Sequence, residues 1–84
     1  MAYTLYILRC RDGTLYTGIT TNLKERLRKH ASGNGSKYVK TRRPFELVYT
    51  EEAGSRSDAL KRELRIKAMP RPSKLGMIRR AGSA

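Results

Sequence analysis

Eighty-four residues are enough for one domain with one modest core. Cys10 and His30 are the only residues of their kinds, which excludes an intramolecular disulfide, a multi-cysteine zinc site and a His-pair metal site. Nineteen Lys and Arg against seven Asp and Glu leave a net charge of +12. So large a surplus repels itself in the compact state and points to a polyanionic partner, nucleic acid first and a membrane surface second.

In chain order, Tyr3–Arg9 is rich in β-formers and Asp12-Gly13 marks a hairpin turn, with Leu15–Thr20 returning as the second strand. A two-residue loop would put Tyr6 and Tyr16 on opposite faces. A three-residue loop, Arg11-Asp12-Gly13 with Gly13 left-handed, sets Tyr6 opposite Gly18 and Tyr16 diagonally beside it on the same face. The second register is adopted, because Gly18 then lacks a side chain where a tyrosine ring must fit. Asn22 caps a helix, with Glu25 completing a capping box, and the helix runs to about Ser32-Gly33. Gly33–Pro44 is a glycine-opened basic segment with one helical turn near Ser36–Lys40. Phe45–Glu51 is a third strand. Ser55 and Asp58 form another capping box for a helix that Pro70 stops.

Residues 1–69 are therefore expected to form the domain, and residues 70–84 a basic extension, a short helix or frayed tail. The order β-β-α-β-α predicts an α+β fold, a small three-stranded antiparallel sheet flanked by helices, with both faces covered. Met1–Cys10 looks like a strand and no long apolar run exists, so a cytoplasmic protein with no membrane association is expected.

Polar residues fall on the expected apolar faces at several points. On the first helix Leu23, Leu27 and Ala31 form a narrow apolar stripe, and Arg26 and His30 make the adjacent row, spaced i,i+4. A guanidinium there can bind a phosphate, and an imidazole can hydrogen-bond or move a proton. On the later helix the apolar positions are Ala59, Leu60, Leu64 and Ile66, and Glu63 projects near the middle of that arc. A carboxylate so placed is costly unless it is paired or bound to a metal. The remaining acids belong to turns, caps or strand edges. A two-metal site, which wants several convergent carboxylates around ions ~4 Å apart, is not provided, whereas one Mg²⁺ held by one glutamate, water and substrate is compatible. Lys37, Tyr38, Lys40, Arg42 and Arg43 interleave cations with an aromatic ring, as suits a nucleic-acid backbone and a stacked base, and Lys67 adds a cation on the later helix. Each feature alone has a plain alternative: strand packing for the tyrosines, a half-buried ion pair for Glu63, a solvated loop for the basic segment.

Together these positions resemble the GIY-YIG nuclease superfamily, most closely its small stand-alone bacterial proteins. Thr4-Leu5-Tyr6 stands where that family has its first motif, and Tyr16-Thr17-Gly18 where it has its second. Arg26 follows at the interval of the family's arginine, His30 continues the row, and Glu63 matches the metal-binding glutamate. "SKYVKTRRPFELVY" and "ALKRELRIK" look like signatures of the stand-alone group. The first motif keeps only its tyrosine, and Pro70 and Pro72 interrupt a region that usually runs on smoothly.

The resemblance implies hydrolysis of a DNA phosphodiester bond with Mg²⁺ (or Mn²⁺). By the same mapping Glu63 holds the ion, Arg26 stabilises charge on the scissile phosphate, and Tyr6 helps deprotonate the attacking water, with Tyr16 and His30 assisting. The chain is too short for a separate targeting domain, so low sequence specificity is expected unless a protein partner or an oligomer adds it. The competing reading is a non-catalytic nucleic-acid-binding module that keeps the fold. A basic structural protein would explain the charge but not the polar residues on the core faces.

Overall fold

The computed structural model describes residues 2–82. Its elements are β1 (Tyr3–Cys10), β2 (Leu15–Thr20), α1 (Leu23–Ser32), α2 (Lys37–Lys40), β3 (Phe45–Ala53), α3 (Arg56–Ala68) and α4 (Arg71–Gly82). The three strands form one antiparallel sheet in the order β2-β1-β3, with β1 in the middle.

The hairpin has the three-residue loop. Gly13 sits at φ 84°, and the β1–β2 register sets Tyr6 opposite Gly18 and Leu8 opposite Tyr16. Asp12 holds the turn by accepting from the Thr14 amide at 3.1 Å and from its hydroxyl at 2.6 Å, a local bond that short carboxylates make readily.

Alternation along β1 divides the core in two. Leu5 and Ile7 face one way and pack with Ile66 of α3 and with Met77 and Ile78 of α4. Tyr6 and Leu8 face the other way and pack with Val39 of α2, partly flanked by Leu23 and Leu27 of α1, Tyr16, Tyr38 and Phe45. Both faces are covered, and Leu5 to Leu8 are completely buried.

The helix starts follow their capping residues. Asn22 accepts from the Glu25 amide, Ser36 from that of Tyr38 and Ser55 from that of Asp58. The C-terminal extension is helical over Arg71–Gly82 despite its prolines. Pro70 precedes the helix and Pro72 lies in its first turn, where a missing N–H costs no intrahelical bond. Residues 83–84, the end of the expected tail, lie outside the described residues.

Two helix faces differ from the apolar periodicity. On α3, Leu60 and Leu64 are 40% and 73% exposed, and the fully buried positions are Ala59 and Ile66. Arg62 and Glu63 lie between them on the packed side. On α1 it is His30 that is buried, and Ala31 is exposed. In both helices a polar group with a partner takes the inward position and an apolar one is left in water, the reverse of what side-chain hydrophobicity alone favours.

Candidate nuclease site

Tyr6, Tyr16 and His30 come together on the α1 face of the sheet. The Tyr6 hydroxyl lies 2.9 Å from Nε2 of His30 in a buried hydrogen bond. The Tyr16 ring stands 5.4 Å from the imidazole, nearly edge-on, and 6.4 Å from the ring of Tyr6. The contact depends on Gly18, since a Cβ there would lie 2.6 Å from the Tyr6 hydroxyl oxygen. A strand residue with no side chain lets the phenol lie flat across the neighbouring strand.

Burial pushes the Tyr6 phenol up to about 12, and Tyr16 and Glu63 add to the rise while the Arg26 guanidinium opposes it. Burial also pushes His30 below its ordinary value, and Arg26 lowers it further. At neutral pH the pair is thus a protonated phenol against a neutral imidazole. Arg26 acts electrostatically on both, so the i,i+4 row of α1 does converge on one place. The charge of Glu63 reaches Tyr6 as well, which brings in α3.

Glu63 is 19% exposed and its Oε2 lies 3.5 Å from Nζ of Lys67, one turn on. Among the described residues no three His, Cys, Asp or Glu side chains stand together as a metal cage. One carboxylate does not suit a metal enclosed by protein. It does suit Mg²⁺, which keeps several waters and takes substrate phosphate as ligand.

The basic segment divides. Lys37 and Lys40 on α2 and Lys67 on α3 are exposed cations. Arg42 and Arg43 carry scaffold contacts that composition did not reveal. The Arg42 guanidinium lies over the Tyr38 ring, 3.9 Å from its centroid, and donates to Asp12 at 3.0 Å and to the Tyr38 carbonyl at 3.0 Å. Tyr38 in turn lies 5.8 Å from Tyr16, ring to ring. Arg42 therefore braces the hairpin turn against the aromatic stack. Arg43 donates to the carbonyls of Ala31 at 2.8 Å and Lys40 at 3.0 Å, tying the end of α1 to α2. That is a favourable place for a cation, because the last carbonyls of a helix lack partners.

Two neighbours of His30 escaped the sequence reading. Phe45 at the start of β3 approaches the imidazole edge-on at 6.1 Å. Gly35 packs over its ring face, where a Cβ would lie 2.6 Å from Nδ1 and 3.0 Å from Cγ and Cε1. The glycines of "SGNGS" just beyond His30 were the available signal.

The model of the GIY-YIG catalytic domain matches residues 2–75. The chain belongs to the GIY-YIG family. Its relatives include UPF0213 protein SH2523 of Staphylococcus haemolyticus, 51% identical over 74 residues that cover 88% of this chain and 90% of the relative. UPF0213 protein OB0043 of Oceanobacillus iheyensis is 50% identical, with 88% and 86% covered. Two solution NMR structures share the fold. UPF0213 protein BH0048 of Bacillus halodurans superposes with a TM-score of 0.61 at 42% identity, over 93% of this chain and 83% of that one. Protein EF2693 of E. faecalis superposes with a TM-score of 0.69 at 32% identity, over 100% and 90%. This GIY-YIG domain is thus a member of a nuclease family and similar to its small single-domain bacterial proteins. Among the described residues, no helix is long and apolar enough to cross a membrane.

Proposed function

We propose that this GIY-YIG domain is a metal-dependent endonuclease that hydrolyses DNA phosphodiester bonds with low intrinsic sequence specificity. The observation that carries the reading is the buried hydrogen bond between Tyr6 and His30, with Arg26 acting on both groups. A neutral imidazole and a desolvated phenol in the field of one guanidinium form the kind of cluster of perturbed titratable groups that marks functional sites.

In the proposed reaction water attacks phosphorus as the ester P–O bond breaks, with Arg26 neutralising charge on the phosphoryl oxygens. Tyr6 orients the attacking water and, as the phenolate left once its own proton has passed to solvent, takes a proton from it, while the leaving oxygen is protonated from solvent. A phenol held near 12 is a weak base in the free protein, so deprotonation waits on positive charge brought near it. Glu63 would hold a Mg²⁺ ion (or Mn²⁺), which when bound supplies that charge and stabilises the leaving oxygen. Tyr16 packs against both Tyr6 and His30 and keeps their geometry. Lys37, Lys40 and Lys67 draw the backbone in, with a protein partner the natural source of any added targeting.

The Glu63–Lys67 pair favours a second reading. If the lysine, and no metal, neutralises the carboxylate, the domain binds nucleic acid without cutting it. The test is cleavage of labelled single-stranded and branched DNA with Mg²⁺ by the wild type and Glu63→Ala, with binding recorded in EDTA. Cleavage by the wild type alone, with binding by both, supports the nuclease. Intact binding with no cleavage by either supports the binding module.

A further inference from the structure

Tyr16 has two supports, and one guanidinium reaches both. The first support is the backbone. Tyr16 is the second residue of β2, just beyond the hairpin turn Arg11-Asp12-Gly13. Each residue of that turn is tied from outside it. The Arg11 amide donates to the Arg42 carbonyl at 3.0 Å, Asp12 accepts from Nε of Arg42 at 3.0 Å, and the Gly13 carbonyl accepts from Arg71 of α4 at 2.8 Å. The second support is a ring. Tyr38 lies 5.8 Å from Tyr16, within the range in which aromatic rings pack. The Arg42 guanidinium stands 3.9 Å from the centre of that Tyr38 ring, and its Nη1 donates to the Tyr38 carbonyl at 3.0 Å. Tyr16 in turn packs 5.4 Å from His30 and 6.4 Å from Tyr6, ring to ring.

These contacts use what arginine has and lysine lacks. A planar group lies on a ring while its edge donates to a carboxylate and a carbonyl in fixed directions. They also engage its charge. A phosphate approaching Arg42 meets the Asp12 carboxylate 3.0 Å from the guanidinium, whereas Lys37 and Lys40 of the same segment are exposed cations.

We propose that Arg42 is a positioning residue for the candidate site, not a DNA contact. It fixes the hairpin turn and the Tyr38 ring together, and through them the orientation of Tyr16 against Tyr6 and His30. One substitution at Arg42 therefore loosens both the start of β2 and the ring that β2 carries. The catalytic consequence rests on the nuclease reading; the ring geometry does not.

The test compares the wild type with Arg42→Lys, Arg42→Gln, Tyr38→Leu and the double variant Arg42→Lys/Tyr38→Leu, well below their unfolding temperatures. His30 is the only histidine, so its ring proton signals are unambiguous, and they report the Tyr16 ring beside it. In Arg42→Lys, without DNA or metal, those signals are expected to move although the charge is kept. Cleavage should lose kcat, by up to about 10²-fold for an ångström-sized misplacement, with KM unchanged. The salt slope of DNA binding in EDTA should equal the wild type's in both Arg42 variants. Because Arg42 and Tyr38 act through one contact, the double variant should be no slower than the slower single variant. Unmoved His30 signals in folded Arg42→Lys overturn the proposal, as does full kcat in that variant. A salt slope lower by about 1 in Arg42→Gln makes Arg42 a phosphate contact and also overturns it. Additive losses in the double variant do the same. Should Arg42→Lys not fold, Tyr38→Leu reads the same contact from its other side, and unmoved His30 signals there are equally fatal. Moved His30 signals in a protein whose wild type never cuts DNA would sink the nuclease reading and leave the positioning role standing.

Discussion

Gly18 on β2 lies against Tyr6 on β1 with no room between them: a Cβ at Gly18 would stand 2.6 Å from the phenol oxygen and 2.7 Å from Cζ. Tyr6 is itself completely buried and bonded to His30, so it has nowhere to retreat. Gly18→Ala is expected to cost about 1–3 kcal/mol, the usual range for overpacking. It should also break the Tyr6–His30 bond. Denaturant unfolding measures the first effect and the His30 nitrogen shifts the second.

Arg26 acts electrostatically on both Tyr6 and His30. Arg26→Ala should therefore lower DNA cleavage by on the order of 10²–10³-fold, as for loss of a transition-state donor, with little change in thermal unfolding. The His30 pKa should rise toward its ordinary value, because one of its two depressing causes is gone. A matching collapse of stability would assign Arg26 to the scaffold.

Stability should depend on pH at both ends. The native His30 binds its proton less readily than the unfolded chain does. As pH falls below roughly 6.5, the unfolded state takes up a proton that the native state refuses, and stability declines. At the alkaline end Tyr6, at about 12, and Tyr49, also raised by burial, stay protonated in the native state. The unfolded chain ionises above roughly pH 10, so stability is lost there. Thermal midpoints between pH 5 and 11 test this, with the acid slope missing in His30→Gln and the alkaline slope reduced in Tyr6→Phe.

Arg42 and Lys40 should separate structure from binding. Removing Arg42 loses the contact over Tyr38 and the bond to Asp12, an expected cost of about 1 kcal/mol. Lys40→Ala should leave unfolding unchanged, weaken DNA binding and reduce the slope of log affinity against log salt by about 1. Salt titrations of binding beside unfolding curves distinguish the two.

Beneath α3, Arg62 donates to Glu51 at 2.8 Å, and Tyr49 donates to the other oxygen of the same carboxylate at 2.5 Å. The ion pair is about one-third exposed on the arginine side. Arg62→Ala is expected to cost roughly 1–2 kcal/mol, between surface and buried pairs. DNA cleavage per folded molecule should not change, since this cluster packs with α4 on the other sheet face.

The sequence by itself determined the features that short-range chemistry controls. Gly13 and Asp12 define the hairpin turn, that turn sets the register, and the register puts Tyr6 beside Tyr16 and against Gly18. Asn22, Ser36 and Ser55 start their helices by bonds to amides two or three residues on. The spacing of Arg26 and His30 along α1 follows from helix geometry alone. What tertiary structure decided is which groups face inward. On α3, Arg62 turned in beside Glu63, whose inward place the helix projection already gave, while Leu60 and Leu64 stayed in water, because Glu51 on a distant strand offered Arg62 a partner and the sheet left those leucines uncovered. Arg42 and Arg43 became braces because Asp12, Tyr38 and the Ala31 carbonyl were brought to them. Gly35 came to lie against the face of the His30 imidazole in the same way. Propensity and turns act within a few residues, whereas burial and charge pairing join segments far apart in the chain, and only the folded chain brings those segments together.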